Sequence, residues 1–223
     1  MRKLLPLVFS LCFLGLALAQ DGKPLAEAGT TTCESADSGG GKGKWVTSRA
    51  GFSAAVELRA KVAGTGKQRI CVTSWILHMR DQNKQPKRIT VAEREDRPDD
   101  NEWVQENSFE INAWSEDGKM VLISQIEAQG DWDQTTPIIY DFQHDKHWRI
   151  ELHPLFKKLI PADCYVVYRP VRFADDERIV ISASSTDTDR EPGTKLCFKD
   201  SLWQLDFRHS SIARVPIKSA ATK

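Results

Sequence analysis

Residues 138–152 read Ile-Ile-Tyr-Asp-Phe-Gln-His-Asp-Lys-His-Trp-Arg-Ile-Glu-Leu, a pattern of two strands joined by a polar turn. The same pattern recurs twice. In residues 75–91, Trp-Ile-Leu-His-Met-Arg leads to Arg-Ile-Thr-Val, and in residues 203–217, Trp-Gln-Leu-Asp-Phe-Arg leads to Arg-Val-Pro-Ile. The equivalent positions Met79, Phe142 and Phe207 are separated by 63 and 65 residues. A period of this size predicts three copies of one structural unit.

Each unit is predicted to hold four antiparallel strands. Residues 113–124 place Asp-Gly before an apolar run, which is typical of a β-hairpin, and residues 172–182 repeat that arrangement. The shared pattern supplies two further strands, with polar turns at 143–146 and 208–211. Because the run 120–123 is apolar on both pleat faces, we expect its strand to be covered on both sides by stacked sheets.

The second unit resembles a blade of a TolB-type, WD40-like β-propeller. It carries an aromatic residue, Ser, an acid and Asp-Gly-Lys, then an apolar strand, Ile-Tyr-Asp and a closing Arg-Ile. The resemblance covers residues 110–152 and 170–217, with Asp176-Glu177 replacing Asp-Gly in the third unit, and fails upstream of Cys71. It implies an all-β fold of three repeated four-stranded antiparallel units in a propeller-like arrangement.

Three units conflict with the four to eight blades of a typical closed propeller. Two chains could complete a six-bladed ring, or the three sheets could stack openly with covered edges. A β-trefoil, with pseudo-threefold symmetry, is the alternative that matches the count. The first two solutions predict association, because an open edge strand invites pairing with another chain.

The chain begins with a predicted signal peptide at residues 1–19. A basic start is followed by an apolar run over 4–16 and by Ala17-Leu18-Ala19, so we expect cleavage after Ala19 and a secreted or periplasmic protein. The apolar run is shorter than the roughly 20 residues of a membrane-spanning helix, and no later segment approaches that length. We therefore predict no membrane insertion.

The mature chain is predicted to form one all-β domain over residues 45–217. Its units are assigned to 45–92, 101–153 and 162–217. Residues 20–44, which are rich in glycine, are predicted to be a flexible leader, and residues 218–223 a disordered tail. The charged run 93–100 is interpreted as a solvated linker, and 153–161, with proline near both ends, as a site for one helical turn.

Four cysteines remain after removal of the signal peptide: Cys33, Cys71, Cys164 and Cys197. An even number in an oxidising compartment predicts two disulfides. We favour Cys33 with Cys71 and Cys164 with Cys197, because each bridge would then staple one unit.

Two acidic loops at equivalent places in units two and three are the candidate binding loops. They contain Asp131, Trp132, Asp133, Asp187, Asp189 and Glu191. Oxygen ligands two residues apart suit calcium, although Pro192 occupies the position where an EF-hand has glycine. The plain interpretation is a pair of solvated turns, with no metal or other cofactor.

Composition and motifs restrict the function. Thirty-one basic residues balance thirty-one acidic ones, so electrostatics do not favour nucleic acid. The sequence contains no Gly-x-Ser-x-Gly, no His-Glu-x-x-His and no complete P-loop, so we predict that the protein is not an enzyme.

The leading hypothesis is an exported binding or assembly module with a protein partner, with a homodimer as one form of association. An extracytoplasmic hydrolase acting on glycans and a calcium-stabilised structural protein are the alternatives.

Overall fold

The computed structural model describes residues 23–31, 40–64, 70–96, 105–129, 132–161, 164–185 and 198–215. The signal peptide predicted over 1–19 and the tail predicted over 218–223 lie outside these ranges. The strands are β1 (Ala26–Thr31), β2 (Gly41–Lys42), β3 (Val46–Thr47), β4 (Ser53–Ala63), β5 (Ile70–Arg80), β6 (Pro86–Asp96), β7 (Gln105–Trp114), β8 (Met120–Gln129), β9 (Trp132–Asp141), β10 (Lys146–Arg149), β11 (Val166–Phe173), β12 (Arg178–Ser185), β13 (Ser201–Asp206) and β14 (Ser211–Arg214). The described residues also contain one short helix, α1 (Leu152–Phe156).

These strands form three antiparallel sheets, which confirms the all-β prediction. The first sheet has the order β2-β4-β5-β6, with β3 also pairing with β4; the middle sheet is β1-β7-β8-β9-β10 and the third is β11-β12-β13-β14. Within the described ranges, no strand of one predicted unit pairs with a strand of another. In this part of the chain the sheets are therefore separate, and they do not form the shared barrel that a β-trefoil requires.

Two hydrophobic cores lie on opposite faces of the middle sheet. Trp75 and Leu77 of the first sheet pack with Phe109 and Ile123 of the middle sheet. The second core joins the other face of the middle sheet to the third sheet, and it includes Leu122, Ile139, Ile181 and Leu205. The three sheets are thus stacked in chain order. The run 120–123 contributes alternately to both cores, as predicted from its two apolar faces.

The pattern that recurs three times corresponds to one type of hairpin turn. The three non-glycine residues with positive φ in the described chain are Lys84 (62°), Asp145 (52°) and Ser210 (50°), and each lies just before the last strand of its sheet. In the second and third units, Asp141 and Asp206 cap the turn by accepting backbone N–H groups two and three residues later. The polar turns predicted at 143–146 and 208–211 are present one residue earlier, at 142–145 and 207–210.

The leader predicted over residues 20–44 is structured in its described part. Residues 26–31 form β1, which pairs antiparallel with β7, and Ala26 and Ala28 are buried in the first core. The glycines that suggested flexibility instead permit close backbone contact. A Cβ on Gly43 would lie 2.4 Å from the Glu27 carbonyl oxygen, and one on Gly40 would lie 2.5 Å from that of Leu58.

The predicted end of the first unit is wrong, whereas the predicted helical turn after the second unit is confirmed. The first unit does not end at residue 92, because β6 continues through residues 93–96 of the run interpreted as a linker. Glu93 and Glu95 are exposed and Arg94 is half-buried, and residues 93–96 pair with β5 although all four are charged. The helical turn expected in 153–161 is confirmed as α1, with Leu152 and Phe156 buried in the second core.

Candidate functional site

The predicted acidic loops are described only in part. Asp131, Asp187, Asp189 and Glu191 lie outside the described residues, and Trp132 is the first residue of β9, with its side chain likewise not described. Asp133 is the one loop carboxylate that is placed. It accepts hydrogen bonds from both terminal nitrogens of Arg169 in β11, one of them at 3.1 Å. This ion pair joins the middle and third sheets, so Asp133 has a structural partner.

The cysteines are also seen in part. Cys71 lies in β5 and Cys164 precedes β11, and both are disulfide-bonded. Cys33 and Cys197 lie outside the described residues. The pairing of Cys33 with Cys71 and of Cys164 with Cys197 therefore stays a prediction.

A cluster of ionisable side chains occupies the outer face of the first sheet, which we define as the face turned away from the middle sheet. Residues of β4 and β5 alternate between this face and the core. Glu57 is only 6% exposed on the outer face, and its carboxylate bonds to His78 Nε2 and Arg59 Nε. The pair Glu57 and His78 links neighbouring strands by side chains that are 21 residues apart in sequence.

Trp45 extends this cluster. Its ring meets His78 edge-on, with centroids 6.4 Å apart. The Arg80 guanidinium lies 4.2 Å and the Lys42 ammonium 4.7 Å from the Trp45 ring centroid, which are cation–π distances. The outer face thus presents cations around one buried carboxylate.

The electrostatics of Glu57 favour its ionised form. Burial acts to raise the pKa of this carboxyl, but hydrogen bonds from His78 and Arg59, with the charges of those groups, hold the pKa below its ordinary value. In the described chain, no serine, threonine or cysteine side chain hydrogen-bonds to His78 in the way that a triad nucleophile bonds to its histidine. Nor do the described residues include a group of three or more His, Cys, Asp or Glu that could hold a metal ion.

The edge beside this face is the second notable feature of the first sheet. Its last strand, β6, has 11 residues, whereas the last strands of the other two sheets, β10 and β14, have four each. No described strand pairs with the outer side of β6. The other long edge strand, β11, contains Pro170 at a bulge, which removes a backbone donor. In β6 the only proline is its first residue, Pro86.

Both ends of β6 are anchored to the middle sheet. Near its start, Lys87 forms an ion pair with Asp145 of the β9–β10 turn, and Lys87 Nζ lies 3.4 Å from Tyr140 Oη. Near its end, Arg94 bonds to Glu127 of β8 at 3.0 Å. These contacts tie β6 to the middle sheet near both of its ends.

A β-bulge interrupts β6 near its middle. Trp75 of β5 is opposite Ala92, while the next residue, Ile76, is opposite Thr90, so Val91 is the extra residue. Arg88 and Thr90 before the bulge and residues 93 and 95 after it all lie on the outer face, since they are opposite outward-facing residues of β5.

Sequence reasoning missed both features of the first sheet. The Glu57–His78 contact depends on the register of β4 with β5, which places Glu57 opposite Ile76 and Ala55 opposite His78. The β6 edge was shortened because residues 93–96 were interpreted as a linker. Residues 93–96 are all charged, so the alternation of residues 89–91 does not continue into them, and no signal in the sequence indicated the extension.

Comparison with known proteins adds no identification: no family model, curated protein or solved structure matches this chain. Among the helices of the described chain, none has the length and apolar character needed to cross a membrane.

Proposed function

We propose that this chain is an exported, propeller-like binding and assembly module, without catalytic activity of its own, that takes up an extended segment of a protein partner along β6. The observation that carries the proposal is the 11-residue edge strand with no described strand on its outer side. Three sheets stacked in chain order, each built around a sequential meander, support the propeller-like arrangement.

Strand addition uses main-chain hydrogen bonds for affinity and alternate side chains for specificity. In an antiparallel edge strand, about half of the residues direct their N–H and C=O groups away from the sheet. An edge as long as β6 therefore offers several such residues to a partner, while β10 and β14 offer far fewer.

Preorganisation favours the same strand. Lys87 and Arg94 tie opposite ends of β6 to the middle sheet, so little backbone freedom remains to be lost when a partner pairs with it. The charges of β6 and its bulge discourage indiscriminate pairing, and they restrict the edge to partners with a matching pattern.

Site-specific photo-crosslinking of the full-length protein in the cell that exports it tests this function. A photoreactive amino acid replaces Thr90, which is exposed on β6, or, as a matched control, His147, which is exposed on the four-residue strand β10. We expect covalent protein adducts from position 90 and none from position 147. Equal labelling at both positions, or none at 90, would show that β6 is not the binding edge.

A further inference from the structure

The order of charges along β6 makes the strand complementary to itself. Arg88 lies near the beginning of its outer face, and Glu93 and Glu95 lie near the end. Two copies of β6 running antiparallel would bring the basic beginning of each beside the acidic end of the other. A parallel arrangement would instead place Arg88 beside Arg88. Directly opposed unlike charges stabilise a strand pair, and like charges destabilise it.

The bulge allows a register in which the first half of one strand lies opposite the second half of the other. Because Val91 is an extra residue, Arg88 and Glu95 share the outer face although an odd number of positions separates them. In a strand without a bulge, two residues separated by an odd number of sequence positions would lie on opposite faces. A two-fold axis between Val91 and Ala92 therefore brings outer-face residues opposite outer-face residues.

On the basis of the function proposed above, we propose that the segment bound along β6 is the β6 strand of a second copy of this chain. The two strands pair antiparallel about the two-fold axis between Val91 and Ala92. Arg88 is then opposite Glu95 of the second copy, and Thr90 is opposite its Glu93. By symmetry the Arg88–Glu95 contact occurs twice. The same register overlaps residues 87–96, which is nearly the whole strand.

The core-facing charges do not oppose this pairing. Lys87 and Arg94 are held by Asp145 and Glu127 of the middle sheet, so they need no partner in the second copy. The first sheets of the two copies would join into one continuous sheet. Their outer faces, with Glu57 and His78 on each, would lie on the same side of it.

Charge exchange across the interface tests the register. Dissociation constants of the signal-free, disulfide-bonded chain are measured by sedimentation equilibrium for the wild type, R88E, E95R and the double variant R88E/E95R. Because every substitution acts at two symmetric sites, we expect each single variant to weaken the dimer by about ten-fold or more. The double variant should return to within about three-fold of the wild type, since the unlike pairs are restored.

R214E is the matched control, because Arg214 is an exposed cation on the edge strand β14 of the third sheet. It should leave the dissociation constant unchanged. If E95R unfolds the chain, hydrogen exchange of the wild-type protein replaces it: amides of residues 88–95 should exchange more slowly as protein concentration rises, and those of β14 should not.

A wild-type chain that stays monomeric, or a double variant as weak as the single ones, would overturn this pairing. The crosslinking at position 90 separates the two proposals. An adduct with twice the mass of the chain supports both. If the chain is monomeric and the adduct contains a different protein, β6 remains a binding edge but its occupant is not a second copy of the chain.

Discussion

Ile138 and Ile139 are neighbours in β9, yet their side chains lie in different hydrophobic cores. Ile138 packs between the first and middle sheets, Ile139 packs between the middle and third sheets, and both are fully buried. The alternation of side chains along a strand produces this result when a sheet is covered on both faces. The middle sheet is therefore the element on which the other two depend.

Ile138→Ala and Ile139→Ala should each reduce the free energy of unfolding by about 2–5 kcal/mol, because each leaves a cavity in a closed core. Native-state hydrogen exchange should separate them. Ile138→Ala should accelerate exchange in β4 and β5, and Ile139→Ala in β12 and β13. The matching Ile→Val variants, expected to cost about 0.5–1.5 kcal/mol, are the controls. Faster exchange in the same sheet for both alanine variants would contradict the two-core arrangement.

Glu57→Gln should remove part of the acid dependence of stability. The pKa of Glu57 in the folded protein is held below its unfolded value, so this carboxylate stabilises the fold above the unfolded pKa, and the contribution is lost as pH falls through the folded pKa. We expect the substitution to lower the free energy of unfolding by about 1–3 kcal/mol at neutral pH and by less toward acid pH. Urea unfolding at several pH values measures this difference. Glu116→Gln, an exposed change in the turn between β7 and β8, should change little. A pH-independent loss would contradict this role.

Glu110→Gln should stabilise the protein at neutral pH. Burial raises the pKa of Glu110, Arg169 acts against that effect, and Glu27, directly opposite in β1, adds to it. An acid with a raised folded pKa costs stability as pH rises from the unfolded to the folded pKa, and the full cost remains above both. Removing the charge should raise the free energy of unfolding by about 0.2–1 kcal/mol at neutral pH, and it should have no effect at a pH below both pKa values. Thermal melts at both pH values measure this, and a gain that is equal at both would refute it.

Arg169 and Asp133 should couple the middle and third sheets. Their two hydrogen bonds have a bidentate geometry, and Arg169 also donates to Thr135 Oγ1 at 2.8 Å. A double-mutant cycle of Asp133→Asn and Arg169→Gln should give a coupling energy of about 0.5–1 kcal/mol, since the arginine is partly exposed. Additive single effects would show that the pair contributes nothing measurable. Calcium should not alter the cycle, because Arg169 already occupies the carboxylate.

Peptide mapping without reduction should yield Cys33 linked to Cys71 and Cys164 linked to Cys197. Each bridge closes a loop that should contribute about 3–4 kcal/mol in the chain-entropy model. Reduction should therefore lower the melting temperature substantially. A Cys33–Cys164 peptide would contradict the stapling of separate units.

Local turns could be predicted from the sequence, whereas contacts between residues distant in the sequence could not. The turns before β10 and β14 were predictable, because Asp141 and Asp206 bond to amides two and three residues away. The contact between Glu57 and His78 was not, since it requires the register of two long strands. The position of Asp133 beside Arg169 was not predictable either, because these residues belong to different sheets.

The all-β class, the three hairpins and the strand covered on both faces could be predicted from the amino-acid sequence alone. Those features depend on alternation and turn chemistry within a few residues, where the chain's own side chains decide the conformation. The pairing of residues 26–31 with β7, and the lack of a described strand on the outer side of β6, follow only from the tertiary structure. Ala26 and Ala28 carry too little apolar surface to mark a strand, and they become buried only because two stacked sheets leave a space for small side chains.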